Sequence, residues 1–249
     1  MTTAFEKVKS YLRNQKVYST LRKNPILLKF NQHYRNKAES QKRESVHTYG
    51  LESLKLAKDA FHEIKRDFWL DWGTLLGAVR EKGFIGHDAD IDVGTFFTGN
   101  EDANKLEQAM KKRGFIKTRE FWMDEKMLEE TYVYKGVNLD VFYYYPGKAK
   151  DQIHCFAAEE GEHRIYEEYS DRTLVTRLTV ERITSTFTGT KEIDFKGEKF
   201  TIPENEDQYL RGYYGPTYMV KNEKWDWSAK KERDILPFQD NTRAILYKK

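Results

Sequence analysis

Residues 88–97, DADIDVGTFF, alternate acidic and apolar side chains, and few folds accept that pattern. Because side chains alternate across a β-strand, Asp90 and Asp92 should share one face while Ile91 and Val93 enter the core. Two carboxylates about 4 Å apart repel by on the order of 4 kcal/mol at an effective dielectric of about 20. A raised pKa, basic partners or a bound divalent cation would make the pair tolerable. The alternative is a solvent-facing edge strand guarded by its charges.

A second motif, Gly73-Thr74, lies between the strand-like segment FWLDW and a predicted helix, TLLGAVREKG, which Gly83 should end. Backbone N–H groups at a helix N-terminus bind anions, and glycine lets a phosphate approach the backbone. Thr74 is expected either to donate to a phosphate oxygen or to cap the helix. Arg80 and then Lys82 follow near the helix end as candidate phosphate-facing cations. The alternative is an ordinary strand–turn–helix in which Thr74 is the N-cap.

Asp140 is the one acid in the apolar and aromatic run VNLDVFYYY. A lone charge in such a strand is costly unless it is paired or bound to a metal. It therefore qualifies as a third carboxylate, brought beside Asp90 and Asp92 by an adjacent strand. The alternatives are an ion pair with Lys135 or a position at the exposed end of the strand.

Together these motifs predict a site for phosphoryl or nucleotidyl transfer. In such reactions positioning and charge neutralisation supply most of the catalysis. Asp90, Asp92 and Asp140 are the predicted catalytic and metal-binding residues, with Mg²⁺ expected and Mn²⁺ as an alternative. Asp140 would complete the metal shell or act as general base on the acceptor hydroxyl.

The chain of 249 residues is long enough for a sizeable core, and strand and helix patterns alternate over residues 67–145. The fold is expected to be α/β (α+β). Residues 1–45 are expected to form a helical arm broken near Asn24-Pro25, and residues 46–249 a catalytic domain. That domain would have a core at about 47–145 and a mixed C-terminal subdomain at about 146–249, with a hairpin turning at Lys196-Gly197 and a helix ended by Gly212 or Gly215.

Residues 1–45 hold 11 Lys/Arg and 3 Asp/Glu, a net charge of +8, while the remaining residues carry −5. Such an arm can contact an anionic lipid or nucleic-acid surface, or it can be a solvated helix with charged faces. No apolar run of about 18 residues occurs, the N-terminus lacks the apolar segment of a signal peptide, and Cys155 is the sole cysteine. These features together predict a cytoplasmic protein.

The segment DWGTLLGAVREKGFIGHDADIDVG resembles the central motif of the LicD/fukutin family, Asp-x-Gly-Thr-Leu-Leu-Gly-x-x-Arg followed by Ile-x-x-Asp-x-Asp-x-Asp. VNLDVFYYY is similar to the later aspartate strand of that family. IPENEDQYLRGYYGPTY, followed by KWDW, resembles its closing segment. The resemblance implies a nucleotidyltransferase-like mixed sheet flanked by helices.

The resemblance also implies an activity: Mg²⁺-dependent transfer of a phospho-alcohol from a CDP-linked donor to a hydroxyl of a cell-surface glycan. The group would be phosphocholine, as in bacterial members, or a polyol phosphate such as glycerol or ribitol phosphate. The acceptor would be a capsule, lipooligosaccharide or teichoic acid, with a lipid-linked form and arm contact at the inner membrane face as further expectations. No nucleic-acid partner is expected.

Carried over by position, Gly73 and Thr74 would bind donor phosphate and Arg80 would face the diphosphate. Asp88 would bind a second metal or orient its loop. The family commonly has Pro after the motif Ile, whereas Gly86 stands here. His87 is a candidate substrate contact, with a packing or solvent contact as its alternative.

Two other functions are compatible with the same residues. The first is transfer of a nucleoside monophosphate from an NTP to a small molecule or protein. The second is a non-catalytic module whose arm binds a polyanion or membrane, although three neighbouring acids have no purpose in such a module.

Overall fold

Strands outnumber helices in the computed structural model of the chain, which describes residues 4–15, 25–222 and 234–248. The helices are α1 (Ala4–Asn14), α2 (Pro25–Glu63), α3 (Trp72–Glu81), α4 (Asn100–Lys112) and α5 (Glu206–Tyr214). The first strands are β1 (Trp69–Leu70), β2 (Asp90–Phe96), β3 (Ile116–Met123), β4 (Lys126–Tyr134), β5 (Val137–Pro146) and β6 (Gln152–Glu159). The remainder are β7 (Ile165–Glu168), β8 (Arg172–Thr176), β9 (Thr179–Thr186), β10 (Thr190–Phe195), β11 (Glu198–Pro203), β12 (Asp234–Ile235) and β13 (Thr242–Tyr247).

Eleven strands form one sheet in the order β12-β9-β6-β5-β4-β3-β13-β8-β7, with β2 paired to β5 and β1 to β2. Strands β2 and β5 run parallel, and the other described pairs are antiparallel. At its end β5 pairs with β6 through Tyr145 and Pro146, which joins the two halves of the sheet. Strands β10 and β11 form a separate hairpin. The α/β class is therefore confirmed, with a sheet that is largely antiparallel.

The alternation in β2 acts as predicted. Ile91 and Val93, together with Leu139 and Val141 of β5, are fully buried. They belong to a core cluster to which α2 contributes its second half, from Val46 onward. The residues between them are thereby left on the opposite face of the sheet, which is where the aspartates lie.

Close packing at Gly94 of β2 fixes β1 against this strand. A Cβ at Gly94 would lie 2.5 Å from the ring of Trp69, so only glycine fits. Trp69 itself is 1% exposed. The short strand β1 thereby delivers the start of α3 to the edge of the aspartate face.

Several predicted boundaries need correction. Lys82, in the left-handed conformation at φ 55°, ends α3, rather than Gly83. Helix α5 ends at Gly215, and Gly212 lies inside it. The predicted hairpin at Lys196-Gly197 is confirmed, since both residues have positive φ.

Helix α2 runs without a break from Pro25 to Glu63, across the proposed boundary at residues 45 and 46. The division into arm and catalytic domain therefore stays a prediction. Residues 16–24, where the arm was expected to break, lie outside the described part, as does the KWDW segment at 224–227. Within the described ranges, no helix combines the length and apolarity needed to cross a membrane.

Candidate active site

The parallel pairing of β2 and β5 aligns Asp92 with Asp140, and Asp90 lies two residues earlier on the same face. Carboxylate oxygens of the three residues lie within 4.8 Å of one another. The structure thus brings Asp90, Asp92 and Asp140 together on adjacent strands, as one acidic trio. Their role as metal ligands stays a prediction.

Crowding of like charges and burial both disfavour the ionised trio. Burial, and then the charges of Asp90 and Asp140, raise the pKa of Asp92 well above its ordinary value. Burial and the neighbouring Asp140 raise the pKa of Asp90 to about 6, against the opposing charges of Lys42 and Arg119. Binding of a cation or a proton to this face should therefore increase the stability of the folded protein.

The donor set suits a hard divalent cation. Asp90, Asp92 and Asp140 offer carboxylate oxygens, and the cluster they form includes neither imidazole nor thiolate. Oxygen ligands of this kind select Mg²⁺ or Mn²⁺ over softer metals. The ligand chemistry of the trio thus fits the Mg²⁺ or Mn²⁺ ion that the sequence analysis predicted.

The N-terminus of α3 points its backbone at the trio. The Gly73 N–H donates to Asp92 Oδ2 at 3.2 Å. A Cβ on Gly73 would lie 3.2 Å from Asp88 Oδ2 and 3.5 Å from Asp92 Oδ2. Trp72, immediately before it, has φ 42°, a conformation unusual for a tryptophan. Glycine at 73 therefore leaves room for acidic groups against the backbone, beside the positive end of the helix.

The helix cap is Asp71, whose side chain accepts from the Trp72 N–H at 2.9 Å, so the alternative in which Thr74 caps the helix is wrong. Thr74 is buried, and its hydroxyl accepts the Asp92 N–H at 2.9 Å. This bond ties α3 to β2 beside the trio. A contact of Thr74 with donor phosphate stays a prediction.

A cleft next to the trio has a volume of about 160 Å³. Its lining residues are Gly73, Leu76, Arg80, Ile85, His87, Asp88, Tyr214, Thr217, Tyr218, Val220 and Asn222. Four predicted substrate contacts, at positions 73, 80, 87 and 88, thus share one cavity. Lys82 does not line this cavity but ends α3 as an exposed residue, so its predicted phosphate contact has no support in this geometry.

Charges in the cleft are arranged around Arg80. Its Nη2 lies 2.9 Å from Glu81 Oε1, and its Nη1 donates to the Tyr218 carbonyl at 3.2 Å. Burial, then the charge of Asp90, raises the pKa of Asp88 to about 7, while Arg80 opposes the shift. The cleft therefore contains the guanidinium of Arg80, which is fixed by its contacts with Glu81 and Tyr218, and the carboxyl group of Asp88, whose pKa lies near neutrality.

On the far side of the trio, Arg119 completes a row that sequence reasoning missed. Strand register aligns Arg119 of β3, Thr131 of β4, Asp140 of β5 and Asp92 of β2. The Arg119 guanidinium donates to Asp140 at 3.4 Å and to Glu129 at 3.0 Å. Thr131 Oγ1 also donates to Asp140. The trio is thus flanked by a cation that no local sequence pattern identifies.

These contacts decide between the alternatives for Asp140. Lys135 pairs with Glu52 at 2.8 Å, so the predicted ion pair with Asp140 is wrong. Asp140 is 4% exposed, so it does not lie at an exposed strand end either. The remaining prediction, a third carboxylate beside Asp90 and Asp92, matches its position.

Asp71 is another residue near the site to which the sequence analysis gave no role, although it belongs to the DWGTLLGAVR motif. Its carboxylate accepts from the Tyr144 hydroxyl and, at 3.2 Å, from the Tyr209 hydroxyl. Burial raises its pKa to about 6, although these hydrogen bonds favour the charged form. Asp71 thereby joins α3 to β5 and α5. The position of Asp71 between Leu70 and Trp72 was the sequence feature that could have indicated a buried, hydrogen-bonded carboxylate.

Helix α5 brings Tyr214 to the cleft. Burial, and then the charges of Asp92 and Asp88, raise the pKa of Tyr214 well above its ordinary value. The segment RGYYG was matched to the closing part of the family, without a role for this ring. The structure places it against the aspartates, among the residues that a bound molecule would contact.

Comparison with known proteins identifies the family to which the chain is similar. A family model, LicD/FKTN/FKRP, nucleotidyltransferase domain, matches residues 65–205, more than half of the 249 residues. The matched span contains Gly73 and the acidic trio.

Among curated proteins, the chain is 27% identical over 180 residues to Ribitol-5-phosphate transferase FKTN of Mus musculus, covering 72% of this chain and 35% of the relative. The Homo sapiens protein of the same name is 26% identical over 178 residues, covering 71% and 34%. The chain thus spans about a third of the length of these curated relatives. The resemblance found in the sequence is confirmed, and the chain belongs to the LicD/FKTN/FKRP family.

Proposed function

We propose that the protein is a Mg²⁺-dependent phosphotransferase that moves a polyol phosphate from a CDP-linked donor to a hydroxyl of a glycan. The observation that carries the proposal is the acidic trio facing the N-terminus of α3, with the Arg80 cleft beside it. Family membership supports this class of reaction, and it supports a nucleotidyltransferase-like ancestry for the core of the sheet.

The side chains divide the work by position. Asp90, Asp92 and Asp140 would hold Mg²⁺, with Mn²⁺ as the alternative, and the bound cation would neutralise charge on the phosphate oxygens. The Gly73 N–H and the dipole of α3 face the same point and favour an anion there. Arg80, two turns further along α3 and lining the same cleft, would bind the donor diphosphate. Thr74 keeps α3 in register with β2, so these groups act as a rigid unit.

In the transfer step the acceptor oxygen attacks the phosphorus that carries the polyol. A new P–O bond forms, the bond to the bridging oxygen of the diphosphate breaks, and CMP leaves with the electron pair. Asp140, which Arg119 and Thr131 hold in place, would complete the metal shell or, as the alternative, take the proton of the acceptor hydroxyl as general base.

The relatives named above favour ribitol phosphate over phosphocholine as the transferred group. The cleft agrees, because Thr217, Asn222 and His87 offer hydrogen-bonding groups suited to polyol hydroxyls. The expected acceptor is a surface glycan, lipid-linked during synthesis, and the enzyme would act on the cytoplasmic side of the membrane.

Thermal unfolding with CDP-ribitol, CDP-glycerol, CDP-choline, CTP and ATP, each with and without Mg²⁺, tests the proposal without an acceptor. A ligand at about 100 times its Kd adds roughly 2.7 kcal/mol, a Tm increase of about 5–10 °C. We expect CDP-ribitol to act only with Mg²⁺, and Asp90→Asn to abolish the effect while the exposed Asp151→Asn retains it. Stabilisation by CTP or ATP alone would instead favour transfer of a nucleoside monophosphate.

A further inference from the structure

Helix α1 turns its polar side toward the protein, the reverse of an ordinary surface helix. Asn14 Nδ2 donates to the Tyr166 carbonyl at 3.0 Å, and the Tyr166 N–H returns a bond to Asn14 Oδ1 at 2.8 Å. The Glu168 N–H donates to Ser10 Oγ at 2.7 Å, and Arg13 pairs with the Glu168 carboxylate. These bonds complete the backbone pairing of the edge strand β7, so the orientation of α1 is fixed by specific partners.

The opposite side of α1 is apolar and open to solvent. Val8, Tyr11 and Leu12 are 56%, 65% and 53% exposed. Their spacing of three and four residues places them on one helix face, as an outward stripe. Because Ser10, Arg13 and Asn14 hold the helix from the other side, the stripe cannot rotate into the core. An apolar stripe fixed outward on a helix indicates a partner surface.

The net charge of the sequence segment that contains the stripe indicates the kind of surface. The first 24 residues contain six Lys/Arg and one acid, Glu6, a net charge of +5. A second copy of the chain would bring the same positive charge against it, which opposes self-association. A surface of anionic lipid headgroups is complementary both to this charge and, beneath the headgroups, to the stripe.

We propose that α1 lies in the interface of an anionic lipid bilayer, with Val8, Tyr11 and Leu12 inserted below the headgroups. Tyrosine suits this depth because its ring is apolar and its hydroxyl reaches water. Exposed Lys7 lies beside the stripe, at the level of the lipid phosphates. The inference rests on α1 and β7 alone and does not depend on the proposed transferase activity.

Co-sedimentation of the full chain with vesicles tests the proposal. Vesicles of phosphatidylcholine with phosphatidylglycerol should bind the protein, and vesicles of phosphatidylcholine alone should not. The double variant Val8→Ser/Leu12→Ser should weaken binding by on the order of tenfold or more, because two apolar side chains no longer insert. Ile116→Ser, which changes a residue that is 59% exposed on β3, is the matched control and should bind as the wild type does.

A charge variant separates electrostatic attraction from insertion of the stripe. Lys7→Glu should weaken binding to the anionic vesicles and leave the apolar stripe intact, which separates the charge contribution from insertion. Because all three changed side chains are exposed, unchanged circular dichroism and Tm should accompany the loss of binding. Equal vesicle binding by wild type and double variant would overturn the proposal. So would a concentration-dependent dimer, measured by light scattering, that the double variant abolishes.

Discussion

Replacing Asp92 with Asn should stabilise the protein in the absence of divalent cations and remove its response to Mg²⁺. The carboxylate oxygens of the trio lie within 4.8 Å, so each fully ionised pair repels by about 3.5 kcal/mol at an effective dielectric of about 20. Asn keeps the oxygen that accepts the Gly73 N–H. Because burial and the neighbouring acids raise the pKa of Asp92 and so relieve part of this repulsion in the wild type, we expect a net gain of about 1–2 kcal/mol at neutral pH, a Tm increase of about 2–8 °C.

The sign of the pH dependence gives a second readout. A folded-state pKa above the ordinary value means that the folded wild type binds more protons than the unfolded chain. Its stability from these groups is therefore full at low pH and falls as pH rises through the folded pKa. The advantage of Asp92→Asn should shrink as pH is lowered from about 7.5 toward about 4.

Differential scanning fluorimetry with EDTA, and then with Mg²⁺, measures both effects, with Asp151→Asn as the exposed control. Wild type should gain stability with Mg²⁺, and Asp92→Asn should gain little. A variant that melts below wild type in EDTA, or that keeps the full response to Mg²⁺, would refute the reasoning from charge crowding.

Four further predictions concern the surroundings of the trio. Gly73→Ala places a methyl group 3.2 Å from Asp88 Oδ2. It should reduce the transfer rate, measured by CMP release, by on the order of tenfold or more. Its Tm, measured by fluorimetry, should stay within about 3 °C of wild type. Arg119→Gln leaves Glu129 and Asp140 without their cation. Urea titrations should show the free energy of unfolding lowered by about 1–2 kcal/mol, a figure that is discounted for the partial exposure of Arg119. Addition of Mg²⁺ should restore part of this loss. Asp71→Ala removes a helix cap and strands two buried hydroxyls, and urea unfolding should report a loss of about 2–4 kcal/mol, where Asp71→Asn costs less. Calorimetric titration should show Mg²⁺ affinity rising from about pH 5 to about pH 8 as Asp90 and Asp88 lose their protons, and a flat profile would contradict this.

The sequence was sufficient for those parts of the fold that local physics controls. Alternation of Asp90, Ile91, Asp92 and Val93 predicts both the strand and its faces, because a one-residue shift would bury the acids. The Lys196-Gly197 turn was readable because two residues with positive φ suit the twist of a hairpin. Asp140 stood out as the one acid in the run VNLDVFYYY, but its register beside Asp92 is revealed by no local pattern.

Long-range pairing accounts for what was missed. The four strands β6 to β9, between residues 152 and 186, and the strand β13 were not predicted, because their burial depends on neighbours distant in sequence. Arg119 reaches the trio only through the order β3-β4-β5-β2 and an irregularity in register between Lys117 and Arg119. The cap on α3 was assigned to Thr74 as an alternative, whereas Asp71 takes it. Its Oδ1 accepts from the Trp72 N–H and from Tyr209 of α5, and its Oδ2 accepts from Tyr144 of β5.

The most direct test of the account is ³¹P NMR of the protein incubated with Mg²⁺ and CDP-ribitol, and in parallel with CTP. The account predicts loss of the CDP-ribitol diphosphate signals and appearance of CMP, slowly with water as acceptor and faster with a glycan acceptor, and neither in Asp92→Asn. Unchanged CDP-ribitol together with pyrophosphate released from CTP would contradict it, because the trio would then serve nucleotidyl transfer.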